Sequence, residues 1–212
     1  MLNKQQRESL LFCFCGPAGS GKSTIVNGLI EQKSLSDIQL SISTTTRSPR
    51  SHEKDGVHYH FVSNQEFDTR KVKGSFLEFA VYNGNQYGTE KDSIDKLLNS
   101  GIDVLFDIEV QGVQQLKTLY GNRVVVVFVF PPSFTVLKER LENRGTESKE
   151  IIVQRLVRAK EEIKILSAND FSNYILFNQT LEKSIEVAKS IIIAERNRFS
   201  YYQKPFLDKI LL

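Results

Sequence analysis

Residues 16–23 read Gly16-Pro17-Ala18-Gly19-Ser20-Gly21-Lys22-Ser23, and no other stretch restricts the fold so tightly. The spacing G-x-x-x-x-G-K-[ST] belongs to a loop that wraps a phosphate chain, and it demands a strand before it and a helix after it. Both are readable. Residues 10–15 form an unbroken apolar run of strand length, as expected of a strand buried on both faces. After the loop, Ile25, Val26, Leu29 and Ile30 fall at helical spacing, predicting a helix over 22–33 even though Gly28 inside it costs about 1 kcal/mol relative to Ala. The glycines let the backbone curl until its N–H groups and the helix N-terminus face anionic oxygens. On this reading residues 16–24, from Gly16 through Ser23 and Thr24, hold a nucleoside triphosphate. Lys22 reaches its β- and γ-phosphates, and the Ser23 hydroxyl helps hold Mg²⁺.

The rest of the chain repeats that grammar. Residues 102–108 and 124–130 are further strand-like apolar runs, joined by a segment in which Val113, Leu116 and Tyr120 share a helical face. Residues 174–177 lead into a helical pattern from Leu181 to about Phe199. Strands alternating with helices predict an α/β fold, a parallel sheet covered by helices on both sides. Between Ser43 and Asp92 the period changes. Val57, Tyr59 and Phe61 alternate with their neighbours like a half-exposed strand, Ser63-Asn64-Gln65-Glu66 reads as a capping box, and Gly74 precedes a strand-like run over 76–81. These features predict a small inserted α+β lobe with antiparallel pieces. Residues 133–168 read as two helices separated by the polar break Asn143-Arg144-Gly145-Thr146, which suits a hinged lid. At 212 residues, against roughly 150 per domain, one compact unit is expected. Its parts are a core of residues 1–42, 93–138 and 160–212, the lobe at 43–92 and the lid at 139–159.

Charge and cysteine usage narrow the partners. Lys plus Arg number 28 and Asp plus Glu 25, so the net charge of 28 − 25 = +3 is too mild for a nucleic-acid binder but leaves small anionic ligands open. No run approaches the ~20 apolar residues of a membrane helix, and residues 10–15 are too few for a signal peptide. Cys13 and Cys15 lie two apart on one strand face, where a bridge would be strained, so reduced thiols are expected. A soluble cytoplasmic protein follows, with no nucleic-acid or membrane partner and with monomer or homo-oligomer left open. His52, His58 and His60 read as exposed lobe residues rather than metal ligands. The apolar tail from Tyr201 onward packs on the core or on another subunit.

A phosphate loop specifies only a nucleoside triphosphate, so the acceptor has to be read elsewhere. The segment Ser43-Thr44-Thr45-Thr46-Arg47-Ser48-Pro49-Arg50 sets two arginines three apart beside a stiffening proline. Two guanidinium forks can hold a phosphate monoester, with a solvated basic loop as the alternative.

The chain resembles the guanylate kinases. The likeness is carried by GPAGSGKST at 16–24, SISTTTRSPR at 41–50, DGVHYHFV at 55–62, FLEFAVYNGNQYGT at 76–89, FDIEVQG at 106–112, PPS at 131–133 and RLENRGTES at 140–148. Their order and spacing extend it to about residue 199. The resemblance implies transfer of the ATP γ-phosphoryl group to GMP, giving ADP and GDP, with Mg²⁺ bridging the phosphates, on a core that carries a GMP lobe and a mobile lid. By position, Arg47, Arg50, Tyr59 and Tyr87 take the places of GMP-phosphate ligands, and Ser43, Glu78 and Thr89 those of the guanine pocket. The chemistry agrees, because guanine presents N1–H and N2–H₂ as adjacent donors and a carboxylate such as Glu78 accepts both. Asp107 closes an apolar run at the C-terminal end of a strand, where parallel sheets meet ligands. It either holds Mg²⁺ through water, reaches the guanine edge or caps the next helix.

Arg140, Arg144 and Arg155 match basic residues of the family's lid and its flanks, with Arg140 on the ATP side. Lys22, Arg47, Arg144 and Arg155 form the implied catalytic set, since phosphoryl transfer asks mainly for positioning and charge neutralisation. Three departures from the family pattern stand out: Ser51-His52 for proline and glycine, Glu109 where aspartate is common, and Asn178-Gln179-Thr180 where acidic residues usually follow the asparagine. Two rival readings are another nucleoside-monophosphate kinase and a silent guanylate-kinase-like binding module, whose relatives have typically lost the phosphate loop.

Overall fold

The computed structural model describes residues 7–33, 35–51, 53–82, 84–143, 148–168 and 171–202. In chain order its elements are β1 (Leu11–Cys15), α1 (Lys22–Glu31), β2 (Ile38–Leu40), β3 (Thr44–Thr45), β4 (His60–Phe61), α2 (Asn64–Val72), β5 (Phe76–Tyr82), β6 (Asn85–Glu90), α3 (Lys91–Asn99), β7 (Asp103–Asp107), α4 (Val110–Tyr120), β8 (Val124–Phe130), α5 (Phe134–Asn143), α6 (Lys149–Ala168), β9 (Tyr174–Phe177) and α7 (Leu181–Arg196). Single 3₁₀ turns follow α4 and α7.

The predicted parallel sheet has five strands in the order β2-β7-β1-β8-β9. Leu11 of β1 lies level with Val104 on one side and Val124 on the other. A central strand with helices on both faces has no wet side, which is why β1 and β8 read as continuous apolar runs. Leu10, Phe12 and Phe14 pack with Ile25 and Leu29 of α1 and Ile185 and Ile192 of α7. Leu11, Cys13 and Cys15 face the other way, against Ile94 and Leu98 of α3 and Val113 and Leu116 of α4. Both thiols are free, and burial pushes both above their ordinary range. The loops leaving the neighbouring strands β1 and β7 open on the same edge of the sheet, where ligands of open α/β sheets bind.

The opposite end of β7 is anchored by charge. Asp103 is fully buried and accepts from Arg7 Nη1 and Nη2 at 2.9 and 2.6 Å, from the Leu10 N–H at 2.8 Å and from Arg196 Nε at 2.7 Å. One carboxylate thus ties the N-terminal segment and α7 to the start of a central strand.

The inserted lobe is built on a four-stranded sheet in the order β4-β3-β6-β5. β6 runs antiparallel to β3 and β5, the antiparallel pieces expected, and β4 adds to β3 in parallel, so the sheet is mixed. The strand predicted from Val57 begins only at His60. Gly56 N–H donates to Tyr59 O at 2.8 Å and closes a turn, leaving Val57 59% exposed. Ser63 caps α2 by accepting from the Glu66 N–H at 3.1 Å, while the Glu66 carboxylate pairs with Arg70, so the capping box is half formed. Leu137 and Leu141 of α5 and Ile152 and Ala159 of α6 form a small separate core that reaches Ala18 of the phosphate loop. The break predicted between these helices, with Arg144, Gly145 and Thr146, lies outside the described residues, as do His52 and the tail residues 203–212.

Candidate active site

The loop of residues 16–21 connects β1 to α1, and its glycines are required by contact as well as conformation. Gly16 has φ +133°, and a Cβ there would meet Val129 O at 2.5 Å. Gly21 has φ +96°, and its Cβ would meet Asn178 Nδ2 at 2.1 Å. The Ser20 N–H closes the turn onto Pro17 O at 3.0 Å. No side chain caps α1, so its first-turn N–H groups are available to an anion.

Lys22 opens α1, and its ammonium lies across the loop, donating to Gly16 O at 2.6 Å and Pro17 O at 3.4 Å. Burial works against its charge, but Glu109, Asp107 and Glu162 more than offset it and hold the group above its ordinary range. Behind the loop, Asn178 Nδ2 donates to Ser20 O at 2.7 Å while the Ser184 hydroxyl donates to Asn178 Oδ1 at 2.9 Å. Arg140 spans the same seam, with Nη1 on Ser20 O and Nη2 on Asn178 O, both at 3.3 Å. Asn178, the asparagine that precedes the departure at Gln179-Thr180, is thus a brace for the phosphate loop.

At the end of β7, Asp107 Oδ2 accepts a hydrogen bond from the Ser23 hydroxyl. Two adjacent oxygen donors at the mouth of the loop suit a hard cation that keeps its waters and takes only one or two protein oxygens beside substrate phosphates, which is how Mg²⁺ binds.

The residues expected to hold the acceptor gather across the cleft. The Arg47 guanidinium stands 5.4 Å from the centre of the Tyr59 ring, which meets the Tyr87 ring edge-on at 6.1 Å. Burial, with Asp107 nearby, pushes the Tyr59 phenol up to about 12, so it is a neutral donor at physiological pH. Glu78, on β5, is only 5% exposed, and the Thr89 hydroxyl donates to its Oε1 at 2.6 Å from the facing position on β6. Burial pushes the Glu78 carboxyl up to about 7 in spite of the opposing Thr89 hydrogen bonds.

One open cleft joins the two halves. Gly19, Gly21, Lys22, Ser23 and Thr24 line one side, Ser43, Arg47, Arg50, Tyr59, Glu78 and Tyr87 the other, and Asp107, Glu109 and Arg155 stand between. Thr89 sits behind Glu78 and Arg140 behind the loop, so neither lines the cleft. Glu53 and Glu162 carry no spacing signal in the sequence, and Gly112 closes the motif at 106–112 without a role that the motif itself reveals. Glu53 pairs with Arg47 at 2.8 Å. Gly112 leaves room for Glu78, because a Cβ there would lie 2.5 Å from Glu78 Oε2. Glu162 of α6 is buried beside Arg158, at 3.4 Å, and pushed up to about 7 by burial and Glu109 against the pull of Lys22 and Arg158.

Residues 9–195 match the family model described as guanylate kinase. The guanylate kinase of Bartonella henselae is 38% identical over 210 residues, covering 98% of this chain and 92% of that protein. That of Clostridioides difficile is 40% identical, covering 96% of each, and that of Thermotoga maritima is 40% identical, covering 94% and 92%. Among solved structures, the guanylate kinase from Anaplasma phagocytophilum superposes with a TM-score of 0.77 at 26% identity, covering 98% of this chain and 97% of that one.

Proposed function

The chain belongs to the guanylate kinase family, and from that premise we propose how its residues carry the γ-phosphoryl group of ATP to GMP. The donor phosphates lie along the N–H groups of residues 18–24, and Lys22 leaves the Gly16 and Pro17 carbonyls for the β- and γ-phosphates. Arg140 flanks the donor from behind the loop. GMP enters opposite, its phosphate held by Arg47, Arg50, Tyr59 and Tyr87, its base by Glu78 and Ser43, with Thr89 steadying the Glu78 carboxylate. The attacking group is an oxygen of the GMP phosphate, already anionic, so no general base is assigned. The work is in-line placement and neutralisation of charge on the moving group, to which Arg47, Arg155 and Arg144 contribute.

Ser23 and Asp107 are the residues that would hold Mg²⁺, which would supply positive charge to neutralise the transferring phosphates. Their mutual hydrogen bond favours this role for Asp107 over contact with guanine. Residues 43–92 are assigned to the acceptor lobe, 139–159 to the lid and the remainder to the core. Among the described residues no helix is long and apolar enough to cross a membrane, and the free thiols of Cys13 and Cys15 support a cytoplasmic setting.

The observation that carries this reading is that Lys22 of the phosphate loop and the buried carboxylate of Glu78 face one cleft. Its test is a coupled assay with ATP and a panel of nucleoside monophosphates. GMP is expected to be preferred by on the order of 10⁴ in kcat/KM, because the wrong base leaves buried polar groups unpaired. Equal turnover of AMP or UMP would remove the guanine assignment.

A further inference from the structure

The two arginines assigned to the GMP phosphate converge on a carboxylate that none of the roles above employs. Arg47 Nη2 donates to Glu53 Oε1 at 2.8 Å and to Oε2 at 2.9 Å. The Arg50 N–H donates to Glu53 Oε2 at 2.8 Å, and Arg50 Nη1 stands 3.8 Å from Oε1. The Glu53 N–H returns a bond to Arg50 O at 3.0 Å, so backbone and side chain of Glu53 hold the same residue. The Glu53 side chain is 6% exposed and the Arg50 side chain 64%. Burial opposes the carboxylate's charge, but Arg47 and the Arg50 N–H overcome it and keep the group below the usual carboxylate range.

Arg47 has further contacts that fix it. Its Nη1 donates to Ser48 O at 2.7 Å, and its guanidinium lies 5.4 Å from the Tyr59 ring centre and 5.9 Å from that of Phe61. Arg47 and Arg50 line the cleft whereas Glu53 does not, so the carboxylate reaches a ligand only through them. Two guanidinium groups gathered for one phosphate repel each other, and each brings several side-chain torsions that binding must freeze. A desolvated carboxylate between them offsets the repulsion and freezes Arg47 in advance, without occupying the face turned to the cleft.

We propose that Glu53 is a positioning residue of the acceptor site, preorganising Arg47 and Arg50 for the phosphate monoester of GMP. This role rests on the assignment of those arginines to that phosphate. It also has a sign. A carboxylate that merely neutralised the site would weaken GMP binding, so its removal would strengthen it, whereas a positioning carboxylate strengthens binding through geometry.

The test is steady-state kinetics on Glu53→Gln, Glu53→Asp and, separately, Arg47→Ala, with thermal melts of each. Glu53→Gln keeps the shape and an acceptor for the Arg50 N–H. It is expected to raise KM for GMP about tenfold, the scale of one charge-assisted interaction, while KM for ATP stays within about twofold. Glu53→Asp, which restores the charge, is expected to recover part of the loss. An unchanged or lowered KM for GMP in Glu53→Gln, beside a raised one in Arg47→Ala, would overturn the role of Glu53 and leave the arginine assignment standing. Parallel increases in both KM values with a lowered melting temperature would reduce Glu53 to a structural residue and likewise overturn it. An Arg47→Ala variant with parental KM for GMP would overturn the assignment of the arginines itself.

Discussion

The Ser23 hydroxyl donates to Asp107 Oδ2, joining the first turn of α1 to the C-terminal end of β7. Because β1 and β7 are adjacent, this bond spans the two loops that open the cleft, and on the proposed reading both oxygens serve the cation that accompanies the donor phosphates. Asp107→Asn should therefore raise the Mg²⁺ concentration needed for half-maximal activity by about tenfold or more, as loss of a carboxylate around a metal generally does. A Mg²⁺ titration at saturating ATP and GMP checks this. A change confined to KM for GMP would move Asp107 to the guanine side.

Glu78 gives the acceptor site a pH dependence with a definite sign. Its carboxyl is pushed by burial up to about 7 from 4.5, yet only the ionised form accepts both N1–H and N2–H₂ of guanine. Below about pH 7 GMP must expel a proton to bind, so KM for GMP should climb toward about tenfold per pH unit as pH falls. The GMP phosphate itself titrates near 6, so the measurement is the difference between the parent and Glu78→Gln, whose profile should keep only the phosphate step. The same shift makes Glu78 favour folding less as pH rises from 4.5 to about 7, since the folded state binds the proton more tightly than the unfolded chain over that range.

Gly112 is a clearance rather than a turn. An added Cβ would lie 2.5 Å from Glu78 Oε2 and 2.7 Å from Ile108 Cδ1. Gly112→Ala should displace the carboxylate and raise KM for GMP by about tenfold to a hundredfold, with KM for ATP nearly unchanged. Initial-rate kinetics with each substrate varied in turn decide it.

Asp103 should matter for stability and not for chemistry. Asp103→Ala strands Arg7 and Arg196 around a buried vacancy, which should cost about 3–5 kcal/mol in urea unfolding. It lies at the far end of β7 from Asp107, so kcat measured without denaturant should stay close to the parental value.

What the sequence made legible and what it hid divide on physical grounds. The strands β1 and β8 are apolar throughout because both faces are covered, and a run of that kind needs no context to be read. β3 and β4 are two residues each and have no period to detect. β6, reading NQYGTE, is held by contact instead: Gly88 lies so close that a Cβ would be 3.0 Å from Phe76 Cδ1. α3 has only Ile94, Leu97 and Leu98 as apolar residues, too short a pattern to stand out beside the irregular lobe. In the site, the phosphate loop, the two arginines, the tyrosines and Glu78 sit in local motifs. Glu53 is one acidic residue in a basic segment, and its meaning appears only when the chain closes it onto Arg47. Asn178 braces Ser20 from 158 positions away, which no local spacing encodes.

Base discrimination rests on one carboxylate, and it is measured as the ratio of kcat/KM for GMP to that for AMP in the parent and in Glu78→Gln. The parent should favour GMP strongly, and the variant should lose about 1.5–3 kcal/mol of that preference, roughly tenfold to 150-fold, with KM for ATP unmoved. A Glu78→Gln enzyme with the parental ratio would show that guanine is read elsewhere.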